Sequence, residues 1–194
     1  MESKTTLTAE ERTTLFQSRF DPDSPDSIDD LVPVIYDELR EIAHRQLAGW
    51  PNNETLNTTA LVHEAYVRLA GGNQVLQKGR SYFFGSASRA MRQVLVDYAR
   101  KRKAAKRGGG QVHVSLDDAT FAVETFASDL LDLDTALTRL AGLSERQARI
   151  VECRFFGGMT VEETAECLSV SVRTVQHDWA LARAYLYRRL HGND

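Results

Sequence analysis

Apolar residues recur at spacings of three and four along most of this 194-residue chain, which is the repeat of an α-helix with one buried face. Strand-like alternation is weak throughout, and no internal repeat is evident. The pattern is clearest in four stripes: Leu31, Ile35, Leu39 and Ile42; Val62, Ala65, Tyr66 and Leu69; Phe84, Ala87, Met91, Val94, Leu95 and Tyr98; and Leu130, Leu133, Leu137 and Leu140. The sequence therefore predicts an all-α fold.

The helical pattern is interrupted between the third and fourth stripes. Three glycines at 108–110 disfavour helix, and the residues that follow, as far as 129, show no sustained period. We predict a flexible linker there, with a short extended piece at 111–116. The predicted organisation is an N-terminal extension (1–27), a first helical domain (28–107), the linker (108–129) and a second helical domain (130–194).

Charge is unevenly distributed along the chain. The formal net charge is only −3, but residues 78–107 contain ten Lys/Arg and a single acid, Asp97, and carry +9. Residues 1–77 carry −7 and residues 108–194 carry −5. A long basic block is either a solvated helix face or a nucleic-acid-binding face, and charge alone leaves both open.

The C-terminal region has the spacing of a helix-turn-helix. Thr160 and Glu163 form a capping box, Ala165 is small where a second helix must cross, and Ser171 can cap that helix. Another capping pair is Ser144 with Gln147. An ordinary helical hairpin is the alternative. For the DNA-reading version, the second helix would present its first residues to base edges and phosphates. The candidate contacts are Ser171, Arg173, Thr174, Gln176, His177 and Arg183.

Two residues oppose the DNA-reading interpretation. Asp178 would be repelled by phosphate if it faced DNA, and Ser169 occupies a turn position that often needs glycine. Trp179 is expected to pack in the domain core, and Val170 and Val175 to fill the space between the two helices.

Other classes of protein lack their signatures. No run of about 18 apolar residues predicts a membrane span, and the start lacks a secretory signal. His63-Glu64 is not followed by a second histidine at position 67, and Gly108–Gly110 are not followed by a phosphate-binding Gly-Lys pair. Cys153 and Cys167 have no histidine at ligand spacing and are expected to be buried small hydrophobes. We predict no enzyme, no cofactor and no metal, in a reducing cytoplasm.

Over residues 28–190 the sequence resembles the bacterial sigma factors of RNA polymerase, specifically the small two-domain extracytoplasmic-function group. Residues 59–69 (TALVHEAYVRL) are similar to the helix that docks on the polymerase large subunit. Residues 81–103 are similar to the helix that engages and helps to melt the −10 promoter element. Residues 137–186 are similar to the −35-binding domain, including the G-x-[ST]-x-x-E-x-A pattern from Gly158 to Ala165.

This resemblance implies a set of functional residues. Polymerase contacts are expected at Leu61, Val62, Glu64 and Tyr66. Contacts to the −10 region are expected at Lys78, Arg80, Arg89, Arg92, Gln93, Arg100, Lys101, Arg102 and Lys103. Tyr82, Phe83 and Phe84 are the candidates for stacking on unpaired bases, because Ser86-Ala87-Ser88 replace the family's usual aromatic-containing motif.

The implied partners are core RNA polymerase and promoter DNA, with an anti-sigma factor or another regulator as a further candidate. The alternative function is a stand-alone helix-turn-helix regulator. That alternative leaves the basic helix and the docking-like helix without a role.

Overall fold

The computed structural model describes residues 27–48, 50, 56–69, 75, 78–107 and 118–192, and every regular element among them is helical. The all-α prediction is confirmed. The N-terminal half contains α1 (Ser27–Leu47), α2 (Thr58–Leu69) and α3 (Arg80–Arg107). The C-terminal half contains α4 (Asp118–Leu143), α5 (Glu145–Val151), a π-helical segment (Glu152–Phe156), α6 (Val161–Leu168) and α7 (Val172–His191). None of these described helices is both long and apolar enough to cross a membrane.

The two halves share one hydrophobic core, which differs from the expected pair of separately packed domains. Helix α3 lies at the centre and contacts α1 and α2 on one side and α4, the π-helical segment and α6 on the other. The sequence stripe from Phe84 to Tyr98 accounts for only one face of α3. A second face is buried as well, and it consists of Ser88, Arg92, Val96 and Ala99. Helix α3 is therefore covered by both halves.

Part of the predicted linker is helical. Residues 118–129 form the first three turns of α4, so the assignment of these residues to a flexible link is wrong. Val123, Ala127 and Leu130 are buried at helical spacing, which stabilises this part of α4 against the core. Residues 108–117, with the predicted extended piece, and the extension 1–26 lie outside the described residues.

An aromatic cluster joins the halves beside α3. The ring of Trp50 lies 5.5 Å from that of Tyr98 on α3 and 5.2 Å from that of Phe126 on α4, measured between centroids. Nearby, the buried amide of Gln46 on α1 donates hydrogen bonds to the carbonyls of Ser88 (3.1 Å) and Phe156 (3.3 Å). The seam between the halves is thus both apolar and hydrogen-bonded.

Candidate nucleic-acid interface

Helices α5, α6 and α7 each begin with a capping interaction that was predicted from the sequence. At the start of α6, the Thr160 hydroxyl accepts from the Glu163 amide (3.1 Å), and the Thr160 amide donates to the Glu163 carboxylate (2.8 Å). At the start of α7, Ser171 Oγ accepts from the Thr174 amide (3.1 Å). Ser144 caps α5 through the Gln147 amide. These bonds satisfy helix amides that would otherwise lack a partner.

The turn between α6 and α7 has the geometry expected of it. Ser169 ends α6 in the left-handed region, at φ 53° and ψ 46°, as the sequence comparison with glycine-containing turns predicts. The next amide, of Val170, donates to the Ala165 carbonyl at 2.9 Å. Ala165 and Val175 are buried together with Ile150, and Val170 packs against them. The predicted core of the helix-turn-helix is confirmed.

Helix α7 presents a polar face at its N-terminal end. Ser171, Arg173, Gln176 and His177 are exposed and Thr174 is half-buried, so the predicted readout residues are accessible. Arg183, further along, is exposed beside the Trp179 ring. The positive end of the helix dipole and these donors together provide a surface suited to an anionic duplex.

Asp178 does not lie on this polar face. It is 3% exposed, and Arg146 of α5 donates from Nε to its Oδ2 at 2.6 Å. The objection that Asp178 would repel phosphate if it faced DNA therefore does not apply, because its charge is held in an ion pair between α5 and α7. Trp179 packs partly buried against the core, as predicted, and the Arg154 guanidinium lies 5.6 Å from its ring centre.

The residues on α3 and just before it that were predicted to contact the −10 region divide into an accessible and a buried set. Lys78, Arg89, Arg100, Lys101 and Lys103 are exposed, whereas Gln93 and Arg102 are partly buried. Arg92 is only 7% exposed. Arg80 is also largely buried, with 11% of its side chain accessible. Arg80 and Arg92 cannot contact phosphate in this conformation. The prediction that these two arginines contact DNA therefore does not hold for the chain packed in this way.

Both buried arginines are neutralised by acids from other helices. Arg80 pairs with Glu38 on α1 and approaches Glu163 on α6 at 3.7 Å. Arg92 pairs with Asp134 on α4 and, at 2.9 Å, with Glu152 of the π-helical segment.

Two exposed arginines, one on either side of Arg92 along α3, also lie close to its two acidic partners. Arg89 lies 3.7 Å from Glu152, and Arg100 lies 2.8 Å from Asp134. We call Arg89, Arg92, Arg100, Asp134 and Glu152 the cross-half ion cluster. Its two acids belong to the C-terminal half and its three arginines to α3, so part of the positive charge of the basic block is neutralised within the chain.

Of the four residues of helix α2 predicted to dock on polymerase, one is fully accessible. Leu61 and Val62 are buried in the core, and Tyr66 is partly buried, so these three side chains stabilise the fold in this conformation. Glu64 is exposed, as a contact residue must be. Val67 is 71% exposed and was not predicted. In the sequence, Val67 is an apolar residue outside the predicted stripe from Val62 to Leu69, and this position indicates that its side chain is exposed.

Of the three aromatic residues predicted to stack on unpaired bases, one is accessible in this conformation. Phe83 and Phe84 are buried, whereas Tyr82 is partly exposed with the Lys78 ammonium 4.7 Å from its ring centre.

On the same helix, burial raises the pKa of Asp97, but hydrogen bonds from Arg68 and Gln93 and nearby positive charge outweigh that effect. The pKa of Asp97 consequently lies below its ordinary value.

An apolar groove runs along the other side of α7. It has a volume of about 650 Å³ and is lined by residues that include Phe155, Trp179, Leu186 and Tyr187. Phe155 and Tyr187 are large and mostly exposed, and neither belongs to an apolar stripe predicted from the sequence. Contiguous exposed apolar surface of this kind is typical of interaction sites.

The two cysteines are buried, as predicted, but they also contact each other. Cys153 lies in the π-helical segment and Cys167 in the last turn of α6, with their sulfurs 3.8 Å apart. Within the described ranges, no group of three or more His, Cys, Asp or Glu side chains is arranged to hold a metal ion.

The fold and the exposed polar face of α7 define a helical DNA-binding protein. A family model described as ECF sigma factor matches residues 10–192, nearly the whole chain, and the chain belongs to this family. A comparison with curated proteins gives no significant match. ECF sigma factors are transcription factors rather than enzymes, so the role of the chain is in transcription initiation, with RNA polymerase and promoter DNA as partners.

Proposed function

We propose that the chain binds core RNA polymerase and directs it to promoters by recognising a −35 element through α7 and a −10 element through α3. The observation that carries this proposal is the pairing of two accessible donor-rich surfaces in one chain of the ECF family. Arg173 and Gln176 on α7 have side chains that can read base edges in the major groove. The exposed cations of α3 supply phosphate contacts, which are independent of sequence and sensitive to salt.

The α3 surface has the properties needed for a strand-separated −10 element. Arg89, Lys101 and Lys103 are accessible cations on one continuous helix. Lys78 and Tyr82 lie at its beginning, where a positively charged group and a partly exposed ring can receive an unpaired base. Because removal of a base from the stack costs a few kcal/mol, melting requires binding energy from the polymerase as well.

Simultaneous contact with both elements requires the two halves to separate. By their designations, the elements are centred about 25 base pairs apart, which is about 85 Å at 3.4 Å per base pair. A compact 194-residue chain has a radius of gyration of only about 16 Å. The described conformation, with both halves in one core, is thus the closed form of the free chain. Opening would release Arg80 and Arg92 for promoter contacts.

The polymerase is the partner that would stabilise the open form. Glu64 and Val67 on the exposed side of α2 are the proposed docking residues, because Leu61 and Val62 are occupied within the core. Free chain should bind DNA weakly, since acids of the C-terminal half neutralise arginines of α3. We place this activity in the cytoplasm, and an anti-sigma protein that holds the closed form is a candidate regulator.

The test is reconstitution with sigma-free core polymerase on fragmented genomic DNA. We expect transcripts with defined start sites that share two upstream elements. The Arg89→Ala/Lys101→Ala variant should form fewer open complexes while polymerase binding persists, and Arg188→Ala, at an exposed cation near the end of α7, is the matched control. Tight operator binding by the chain alone, with no transcripts on any template, would instead establish a stand-alone regulator.

A further inference from the structure

The thiols of Cys153 and Cys167 form a pair at the seam between the halves. Their sulfurs are in contact at 3.8 Å, although the residues are fourteen positions apart and belong to different helices. Gly85 of α3 covers them, and a β-carbon at this position would lie 2.8 Å from Cys167 Sγ and 3.4 Å from Cys153 Sγ. The close approach of the α3 backbone therefore depends on glycine at 85.

A cavity beside α3 is lined in part by both cysteines. It has a volume of about 310 Å³, and its lining includes Arg89, Arg149, Cys153 and Cys167. This space is several times that of a water molecule, which occupies roughly 30 Å³, so a small peroxide fits within it. Arg68, Arg89 and Arg149 line the cavity against a single acid, Glu152, and this excess of positive charge favours a thiolate over a thiol.

The two cysteines are not equivalent. Either sulfur can donate the S–H···S hydrogen bond. With Cys153 as the donor, this bond lowers the pKa of Cys167, and the positive charge of Arg149 acts in the same direction, against the opposing effects of burial and of Glu166. The same bond, together with burial, raises the pKa of Cys153. Cys167 is also the more accessible of the two, at 7% against 2%. Cys167 is thus suited to attack a peroxide, and Cys153 is suited to attack the oxidised Cys167 sulfur afterwards.

We propose that Cys153 and Cys167 are a redox-active pair, which hydroperoxides convert to a disulfide joining the π-helical segment to α6. The Cys167 thiolate attacks a peroxide oxygen, the O–O bond breaks, and a sulfenic acid and hydroxide (water after protonation) are formed. The sulfur of Cys153 then attacks the Cys167 sulfur, and the sulfenic oxygen leaves as water. Two thiols lose two electrons, and hydrogen peroxide is reduced to two waters. A dithiol reductant reverses the reaction.

The disulfide has a defined structural effect. It ties the first helix of the helix-turn-helix to the helical segment before it, entirely within the C-terminal half. A cross-link over fourteen residues restricts the unfolded chain and stabilises the folded half. The helix-turn-helix would then be more resistant to unfolding under oxidising conditions. This inference is independent of the proposed promoter activity, because it concerns only the chain's own thiols.

The experiment treats the full-length chain with hydrogen peroxide and follows intact mass and free thiols. We expect a loss of about 2 Da and of both thiols in the monomer, reversed by dithiothreitol. The rate should exceed that of the same chain unfolded in guanidinium by about ten-fold, because an unperturbed thiol is only a few per cent ionised at pH 7. The thermal midpoint should rise by about 5 °C on oxidation.

Single variants establish the order of attack. With a sulfenic-acid-specific dione present, Cys153→Ser should be labelled at Cys167, whereas Cys167→Ser should not be labelled. The double variant should show no mass loss and no shift in thermal midpoint. A wild-type rate equal to that of the unfolded chain, cross-links between molecules, or labelling of Cys153 in place of Cys167 would overturn the proposal. The wild-type mass measurement decides the matter even if a variant folds poorly.

Discussion

Arg92 Nη2 lies 2.9 Å from Glu152 Oε1, and this ion pair joins the middle of α3 to the beginning of the π-helical segment. Both side chains are buried, so the pair is shielded from water and salt. The pair connects a helix proposed to bind promoter DNA with the half that carries the helix-turn-helix. The closed conformation and the availability of α3 for DNA are therefore coupled through the same charges.

Glu152→Gln removes one acid from the cross-half ion cluster. We expect the free energy of unfolding to fall by about 3 kcal/mol, because Arg92 keeps a buried charge with one acidic partner fewer. We also expect tighter non-specific DNA binding by the free chain with a steeper salt dependence, because α3 is released. Urea denaturation and fluorescence anisotropy at two salt concentrations measure the two effects. Glu145→Gln, at an exposed acid on α5, is the control, and weaker DNA binding by Glu152→Gln would contradict the coupling.

The Arg146–Asp178 pair predicts an asymmetry between its two partners. Asp178 is buried, whereas 55% of the Arg146 side chain is exposed. Arg146→Ala strands a buried carboxylate and should cost about 2–3 kcal/mol, whereas Asp178→Asn leaves an arginine that water can solvate and should cost about 1 kcal/mol. Chemical denaturation of both variants tests the order. Equal losses would mean that Asp178 has another partner in solution.

Helix α2 allows docking and folding effects to be separated. Val67→Asp changes an exposed residue and should weaken polymerase binding by about ten-fold while the thermal midpoint changes little. Leu61→Ala opens a cavity in the core and should destabilise the chain by about 2–5 kcal/mol. Binding to immobilised core polymerase, measured beside thermal unfolding, distinguishes the two. If Val67→Asp binds polymerase as the unmodified chain does, docking uses another surface.

The N-terminal end of α7 should determine the upstream element. Arg173→Ala or Gln176→Ala is expected to reduce discrimination at individual base pairs by about 1–3 kcal/mol per contact, with polymerase affinity preserved. Transcription from a library of randomised upstream elements measures the preference. Arg188→Ala leaves this end of α7 unchanged and serves as the control. Loss of polymerase binding without a change in preference would show that the recognition surface lies elsewhere.

The features predicted correctly from the sequence are those encoded within a few residues. The Thr160–Glu163 box, the Ser171 cap and the left-handed Ser169 each depend on contacts no more than five positions apart. Helix α4 was predicted to begin too late because the described residues buried before Leu130 are only Val123 and the small Ala127, so its first turns lack a strong apolar signal. Asp134 is buried because Arg92 and Arg100, more than thirty positions away, pair with it.

The same reason explains why some predicted site residues are buried in the described conformation. Arg92 resembles an exposed DNA contact in sequence, and Leu61 and Val62 resemble a docking surface. Their burial follows from how the two halves pack, which neither spacing nor net charge encodes. Contact between the cysteine sulfurs was not predictable either, because it depends on how the π-helical segment packs against α6.

The chain has two tryptophans, and the aromatic cluster at the seam places them in unlike surroundings. Trp50 contacts Tyr98 on one half and Phe126 on the other, whereas Trp179 lies between the guanidinium groups of Arg154 and Arg183. Separation of the halves removes a neighbour from Trp50 and leaves the surroundings of Trp179 largely intact. The intrinsic emission of a Trp179→Phe chain is consequently an optical reporter of opening, free of added dyes, that can be followed in real time as polymerase is mixed in.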